Sequence, residues 1–130
     1  MTGMEPITND ELLFFDRMPA MLPVYEALRQ QLLARCPGTS IKVSRSQISF
    51  RSKYIYAMAS LPVRRRKDWP EVCLVVSFGL ADRLESPRIA VAVEPYPRRW
   101  THHVLVERPD QLDEELLGWL EQAWRFSLEK

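Results

Sequence analysis

Residues 72–80 read VCLVVSFGL, and they are apolar at odd and even positions alike. Successive side chains of a β-strand point to opposite faces, so a run that is apolar on both parities belongs in the middle of a sheet, covered on both faces. Extended to Ala81, the run is about half of the roughly 20 residues that a membrane-spanning helix requires. A buried central strand is what remains. A chain with such a strand must supply strands on both of its edges and a layer of helices to cover the sheet.

The flanking segments meet that demand. Ile41 and Val43 alternate with Lys42, and Ile48 and Phe50 alternate with Ser49 and Arg51. The apolar set changes parity between these runs, which requires a turn, and Ser44-Arg45-Ser46-Gln47 can form one. A second tight turn near Ser52 and Lys53 leads into YIYAMAS, residues 54–60, so an antiparallel meander is expected here. After the central strand, Ile89, Val91 and Val93 fall on one face and Ala90 and Ala92 on the other, and Val104 and Val106 fall opposite Leu105. The two alanines are expected to let a helix pack closely.

Helical signals stand at the two ends. Thr8 and Glu11 have capping-box spacing, so the hydroxyl can accept a free amide while the carboxylate reaches back. Pro19 and Pro23 interrupt or restart the helix, after which Met21, Tyr25, Leu28 and Leu32 recur at helical spacing until Pro37-Gly38 ends the run. Near residue 110 an acidic first turn precedes an apolar stripe of Leu112, Leu116, Leu120, Ala123 and Trp124. The order predicts an α+β fold: an antiparallel sheet of about five strands flanked by an N-terminal helical segment and a C-terminal helix. It is expected as a two-layer single domain over residues 1–130 with its core at about 9–128.

Ten prolines sit at element boundaries, and no repeat or low-complexity linker divides the chain. Cys36 and Cys73 stand in no paired motif, and the first residues are acidic without a long apolar run, so a cytoplasmic protein with free thiols and no membrane segment is expected. The net charge of +1 conceals an asymmetry: residues 1–41 carry −2, residues 42–108 carry +7 and residues 109–130 carry −4. A basic middle between acidic ends fits a cationic ligand surface, or a sheet face solvated by Lys and Arg.

Catalytic and metal-binding patterns are absent. His102 and His103 are adjacent and so point to opposite faces of a strand, with no H-E-x-x-H, H-x-H or cysteine pair to complete a ligand set. One is expected to be buried and hydrogen-bonded, the other exposed at a strand start. There is no G-x-S-x-G and no glycine-rich phosphate loop. Cys36 falls near a helix C-terminus, the wrong end to stabilise a thiolate, and Cys73 falls in the central strand. No catalytic residue, metal ligand or cofactor is therefore assigned, and the balance leans away from an enzyme.

Binding residues are easier to nominate. Arg45, Arg51, Lys53, Arg98, Arg99, Trp100, His102 and His103 form the candidate set, with Arg64, Arg65, Arg66, Lys67 and Trp69 in a basic connection. Guanidinium and ammonium groups neutralise phosphates, and exposed aromatic rings stack on bases. If the sheet face away from the helices is open, Arg45, Arg51, Lys53, Arg98 and Arg99 are expected to converge there, bordered by Tyr54, Tyr56 and Trp100. The ligand would be anionic, with nucleic acid as the first class. The alternatives are a protein-interaction domain or homodimer formed through an edge strand or exposed aromatics, and an enzyme whose polar residues assemble only in the fold.

Four segments, FFDRMPAMLPVYEAL, SQISF, RWTHHVLV and QLDEELLGWLEQAWRFS, together resemble a bacterial family, domain of unknown function 5655. The likeness runs from about Phe14 to Ser127, and the order of the segments carries it. Ala123-Trp124 stands where a tyrosine is more typical of the family, a change expected to affect packing more than function. The resemblance brings no activity, cofactor or catalytic residue. It implies a compact bacterial domain, free-standing or appended to others, whose role is by analogy binding or interaction.

Overall fold

A computed structural model describes residues 6–62 and 68–129. Helix α1 (Asn9–Phe14) starts at the expected capping box: Thr8 Oγ1 accepts the Glu11 amide at 3.2 Å, and the Glu11 carboxylate accepts the Thr8 amide at 2.9 Å. Two 3-10 turns, Phe15–Arg17 and Pro19–Met21, absorb the first proline, and Pro23 sits in the first turn of α2 (Leu22–Arg35), where its missing N–H costs nothing. Past the end of α2, Gly38 takes φ +83°, a left-handed conformation that a side chain would oppose.

Six strands follow where about five are expected, beginning with the four-residue β1 (Ser40–Val43), which pairs along its whole length with β2 (Ile48–Arg51). The others are β3 (Ile55–Ser60), β4 (Leu74–Leu80), β5 (Ile89–Tyr96) and β6 (Arg99–Val106). Their order is β1-β2-β3-β4-β6-β5, every neighbour antiparallel, so β4 lies in the interior as its composition required. Helix α3 (Glu114–Leu128) closes the chain after a 3-10 turn at Pro109–Gln111, and Asp113 caps it by accepting the Leu116 amide at 3.1 Å.

All three helices feed one core. Ile48, Phe50, Ala57, Ala59, Leu74, Val76, Phe78, Val104 and Val106 face Tyr25, Leu28 and Leu32 of α2 and Leu116, Leu120 and Ala123 of α3. On the second face, Val75 and Ser77 of β4 are also buried, flanked by Ser60 and Met58 on β3 and by Leu105 and His103 on β6.

The expected alternation in β5 is broken twice, between Ile89 and Val91 and again between Val93 and Tyr96. Ile89 pairs with Val104 and Val91 with the adjacent His103, so Ala90 is the extra residue of a β-bulge. Ile89 and Ala92 consequently share the helix-facing side while Val91 and Val93 take the other, and Ala90 is exposed and packs against no helix. A bulge inverts the parity of everything after it, which a period of two read straight through the segment does not register.

The N-terminal helices are joined by buried charges. Glu11 and Arg29 are 1% and 6% exposed, and the Arg29 Nε to Glu11 Oε2 distance is 2.7 Å. Tyr25, wholly buried, donates its hydroxyl to the same oxygen, and Arg29 Nη2 also donates to the Pro6 carbonyl at 3.0 Å. Burial pushes the Glu11 carboxyl up, but bonds from Arg29, Tyr25 and Thr8 outweigh it and hold the carboxyl below its ordinary range. Removing one partner of such a pair strands the other without water. Glu11→Ala is therefore expected to lower unfolding free energy by about 3–5 kcal/mol, whereas Glu11→Leu with Arg29→Met is expected to cost markedly less. Urea unfolding of the three proteins measures both, and equal losses would remove the pair from this role.

Candidate ligand-binding site

The strand register sorts the nominated residues between the two ends of the sheet. Arg51 with Ile55, Leu80 with Trp100, and Tyr96 with Arg99 mark one end; Val43 with Ile48 and Leu74 with Val106 mark the other. Arg51, Lys53, Arg98, Arg99 and Trp100 share the first end. Arg45, in the β1–β2 turn, is at the far end, where it lines a separate cavity with Leu13, Phe14 and Arg17. At a strand spacing of about 4.8 Å, the β2–β3 and β5–β6 turns are separated by roughly 10 Å at their nearer strands, β3 and β6.

The expected single cationic face does not form. Arg51 is on the side away from the helices, opposite Ser40, and Lys53 leans over the Tyr54 ring at 5.6 Å. Arg98 sits exposed in the β5–β6 turn with φ 60°. Arg99 instead covers the Phe126 ring of α3 at 5.1 Å from its centroid, and Arg83 covers Trp100 at 5.7 Å. The cations form a rim around one end of the sheet, because two of the four lie on turns whose direction strand parity does not set. Tyr54 is exposed, but Tyr56 is buried with its hydroxyl on Thr39 Oγ1 at 2.8 Å, so it does not border an open sheet face. Arg64, Arg65, Arg66 and Lys67 lie outside the described residues, and Trp69 is half-buried.

The histidines divide as adjacent strand residues must. His102 is 0% exposed, stacked on Phe78 at 5.2 Å, and its Nε2 accepts the Leu84 amide at 2.9 Å. An accepting Nε2 places the proton on Nδ1, which has no hydrogen-bond partner among the described residues. Burial pushes this imidazole below its ordinary pKa, His103 and Arg83 push the same way, and the Phe78 backbone opposes them. His103 faces the opposite side and is half-buried in mid-strand, not exposed at a strand start; its Nδ1 lies 2.7 Å from Ser77 Oγ. That spacing is one a nucleophile and its base would have. Ser77 is buried within a continuous strand ladder, however, so the neighbouring amides are committed and no oxyanion donor stands beside it among the described residues.

Neither cysteine is poised for chemistry. Both are buried and free, and burial pushes the Cys36 thiol up to about 11. Among the described residues no cluster of His, Cys, Asp or Glu could hold a metal ion.

Two adjoining cavities open at the cationic end. The smaller, about 120 Å³, lies between β3, β6 and α3, with Arg99 as its one charged residue among Ile55, Tyr56, Met58, Trp100 and Phe126. The larger, about 390 Å³, lies between the β4–β5 loop and the C-terminal half of α3. Leu80 and Phe126 line both. Sequence reasoning missed Phe126, and the one available signal was an aromatic residue lying off the apolar stripe of α3. It also missed Arg83 and Arg125, which have no distinguishing pattern.

These features define a two-layer α+β domain, helices on one face, with a cationic and aromatic cleft where the last helix crosses the end of the sheet. The chain belongs to the family Domain of unknown function (DUF5655), which it matches over residues 13–127. No curated protein and no solved structure shows significant similarity to it. No helix among the described residues is long and apolar enough to cross a membrane.

His102 holds the loop beside the larger cavity, and this makes the fold sensitive to mild acid. Its folded-state pKa lies below the unfolded value of about 6.5, so the unfolded chain binds the extra proton first. The associated stability is full above that value and is lost as pH falls through it. The urea midpoint is expected to drop between about pH 7.5 and 5.5, and His102→Gln, whose side-chain carbonyl can still accept the Leu84 amide, is expected to flatten the drop. An unchanged slope in the variant would assign the acid sensitivity elsewhere.

Proposed function

We propose that this domain is a non-catalytic binding module for an anionic ligand, with single-stranded nucleic acid as the first class to test. The observation that carries the reading is the Arg99 guanidinium laid over Phe126 at the mouth of the smaller cavity, next to Arg83 over Trp100. A guanidinium placed over a ring keeps N–H donors for a phosphate, and ring faces can accept a base by stacking. Among the described residues, Arg51, Lys53, Arg98 and Arg99 form no ion pair, so their charges are not spent within the fold. A cytoplasmic setting, where Cys36 and Cys73 stay reduced, goes with this reading.

A second reading is favoured by β5, an eight-residue edge strand exposing Val93 and Tyr96. Such an edge can pair with another chain, as in a homodimer, although its bulges and Pro95 restrict the pairing length. Light scattering across a concentration series separates a dimer from a monomer.

Fluorescence anisotropy of short single- and double-stranded oligonucleotides over a salt series tests the first reading. Single strands are expected to bind with an affinity that falls steeply as salt rises. Arg98→Ala with Arg99→Ala is expected to weaken binding by about tenfold or more and to reduce the log–log salt slope by about 0.7 per lost phosphate contact. Absence of binding at low salt would return these arginines to the role of solvated surface.

A further inference from the structure

The larger cavity differs chemically from its cationic neighbour. Its floor is apolar, made by Leu80, Leu84 and Phe126, and its lining carries both signs of charge: Arg125 and Glu129 from the end of α3 and Asp82 from the β4–β5 loop. Arg125 on α3 and Glu129 at its C-terminal cap stand four residues apart, a spacing at which such side chains commonly pair on a helix. Yet among the described residues none of these three charges is in an ion pair. Opposite charges that line one cavity without neutralising each other leave room for a guest that contacts both.

The cavity is also held open by its surroundings. One wall is the loop between β4 and β5, anchored from beneath where Leu84 donates its amide to the buried His102. The far end of that loop is clamped to the start of α3: Arg88 reaches Asp113 at 2.6 Å and the Gln111 carbonyl at 2.8 Å. The other wall is α3 itself, seated by Trp119 stacked on Phe78 at 6.0 Å. Its volume of about 390 Å³ is within the range of roughly 300–1,000 Å³ typical of small-molecule sites.

We infer that this cavity is a binding site for a small zwitterion bearing an apolar group, a free amino acid or a dipeptide, with its carboxylate on Arg125, its ammonium on Asp82 and Glu129, and its side chain on Leu84 and Phe126. A polyanion is disfavoured here by the two carboxylates, so this site adjoins the proposed anion site without being part of it. The inference does not rest on that reading.

Titration of the ¹⁵N-labelled protein, followed by amide shifts, tests it with four probes: L-leucine, L-leucyl-L-leucine, isopentylamine and 4-methylpentanoate. The last two each lack one charge. L-leucine or the dipeptide is expected to give saturable shifts at Ala81, Leu84, Gln122 and Phe126, at least about tenfold tighter than either singly charged probe. Which of the two binds more tightly identifies the guest as free amino acid or peptide. Arg125→Gln, an exposed position, is expected to erase the advantage over isopentylamine, and Asp82→Asn with Glu129→Gln the advantage over 4-methylpentanoate. Equal affinity for a singly charged probe, or no saturable shift up to ~50 mM, overturns the inference. Arg99→Ala is expected to leave zwitterion binding intact while weakening oligonucleotide binding, so loss of either one alone indicts only its own site.

Discussion

Phe78 is the residue through which the parts of this molecule are coupled. It lies in the central strand, stacks on one side with His102 of β6 and on the other with Trp119 of α3. Apolar rings in offset contact contribute beyond their buried area, and here the contact also sets geometry. The depth at which Trp119 sits determines where the C-terminal half of α3 crosses the sheet, and that crossing creates both cavities. The orientation of His102 determines where its Nε2 meets the Leu84 amide, which positions the loop that walls the larger cavity. A buried imidazole whose Nδ1 has no hydrogen-bond partner among the described residues is a cost to the fold, of the order of 1–3 kcal/mol. That cost accompanies the anchoring of an otherwise exposed loop.

A second polar constraint operates at the opposite edge of the core. Glu11 serves as a capping carboxylate for α1 and as the acceptor for Tyr25 and Arg29 of α2. One side chain therefore determines where the first helix starts and how it docks. Further ion pairs, from Arg35 to Glu114 and Glu121 and from Arg88 to Asp113, join α2 and the β4–β5 loop to α3. These are exposed to solvent to a greater degree, and such pairs contribute more to alignment than to stability. The acidic start of α3 is thus partly consumed by the fold, while the cations at the β2–β3 and β5–β6 turns are not.

Much of the architecture was legible along the chain. The capping box at Thr8 and Glu11, the glycine after α2, the meander over residues 40–60 and the interior position of β4 all follow from local chemistry or from side-chain period, and all stand in the structure. Parity failed where additional residues entered, at Ala90 and between Val93 and Tyr96 in β5, and at Tyr56 in β3. The candidate site was legible by halves. That Lys53 lies on a turn could be read; that the turn carrying Arg98 reaches the same end of the sheet depends on strand order, in particular on β6 inserting between β4 and β5. The same order sends Arg45 to the other end. Phe126, Arg125 and Asp82 meet only because a helix late in the chain crosses beside a loop some 40 residues earlier, a contact with no local signature.

The sequence by itself determined which segments are helix or strand, which strand is central and which face of the unbulged strands and of the helices is apolar, because these depend on periodicity and on caps and turns spanning a few residues. The tertiary structure alone decided which cations share a rim, which histidine is buried, and that two cavities flank Phe126. Those outcomes depend on strand order and on the crossing of α3 over the sheet, set by the packing of residues far apart in the chain, such as Phe78 and Trp119.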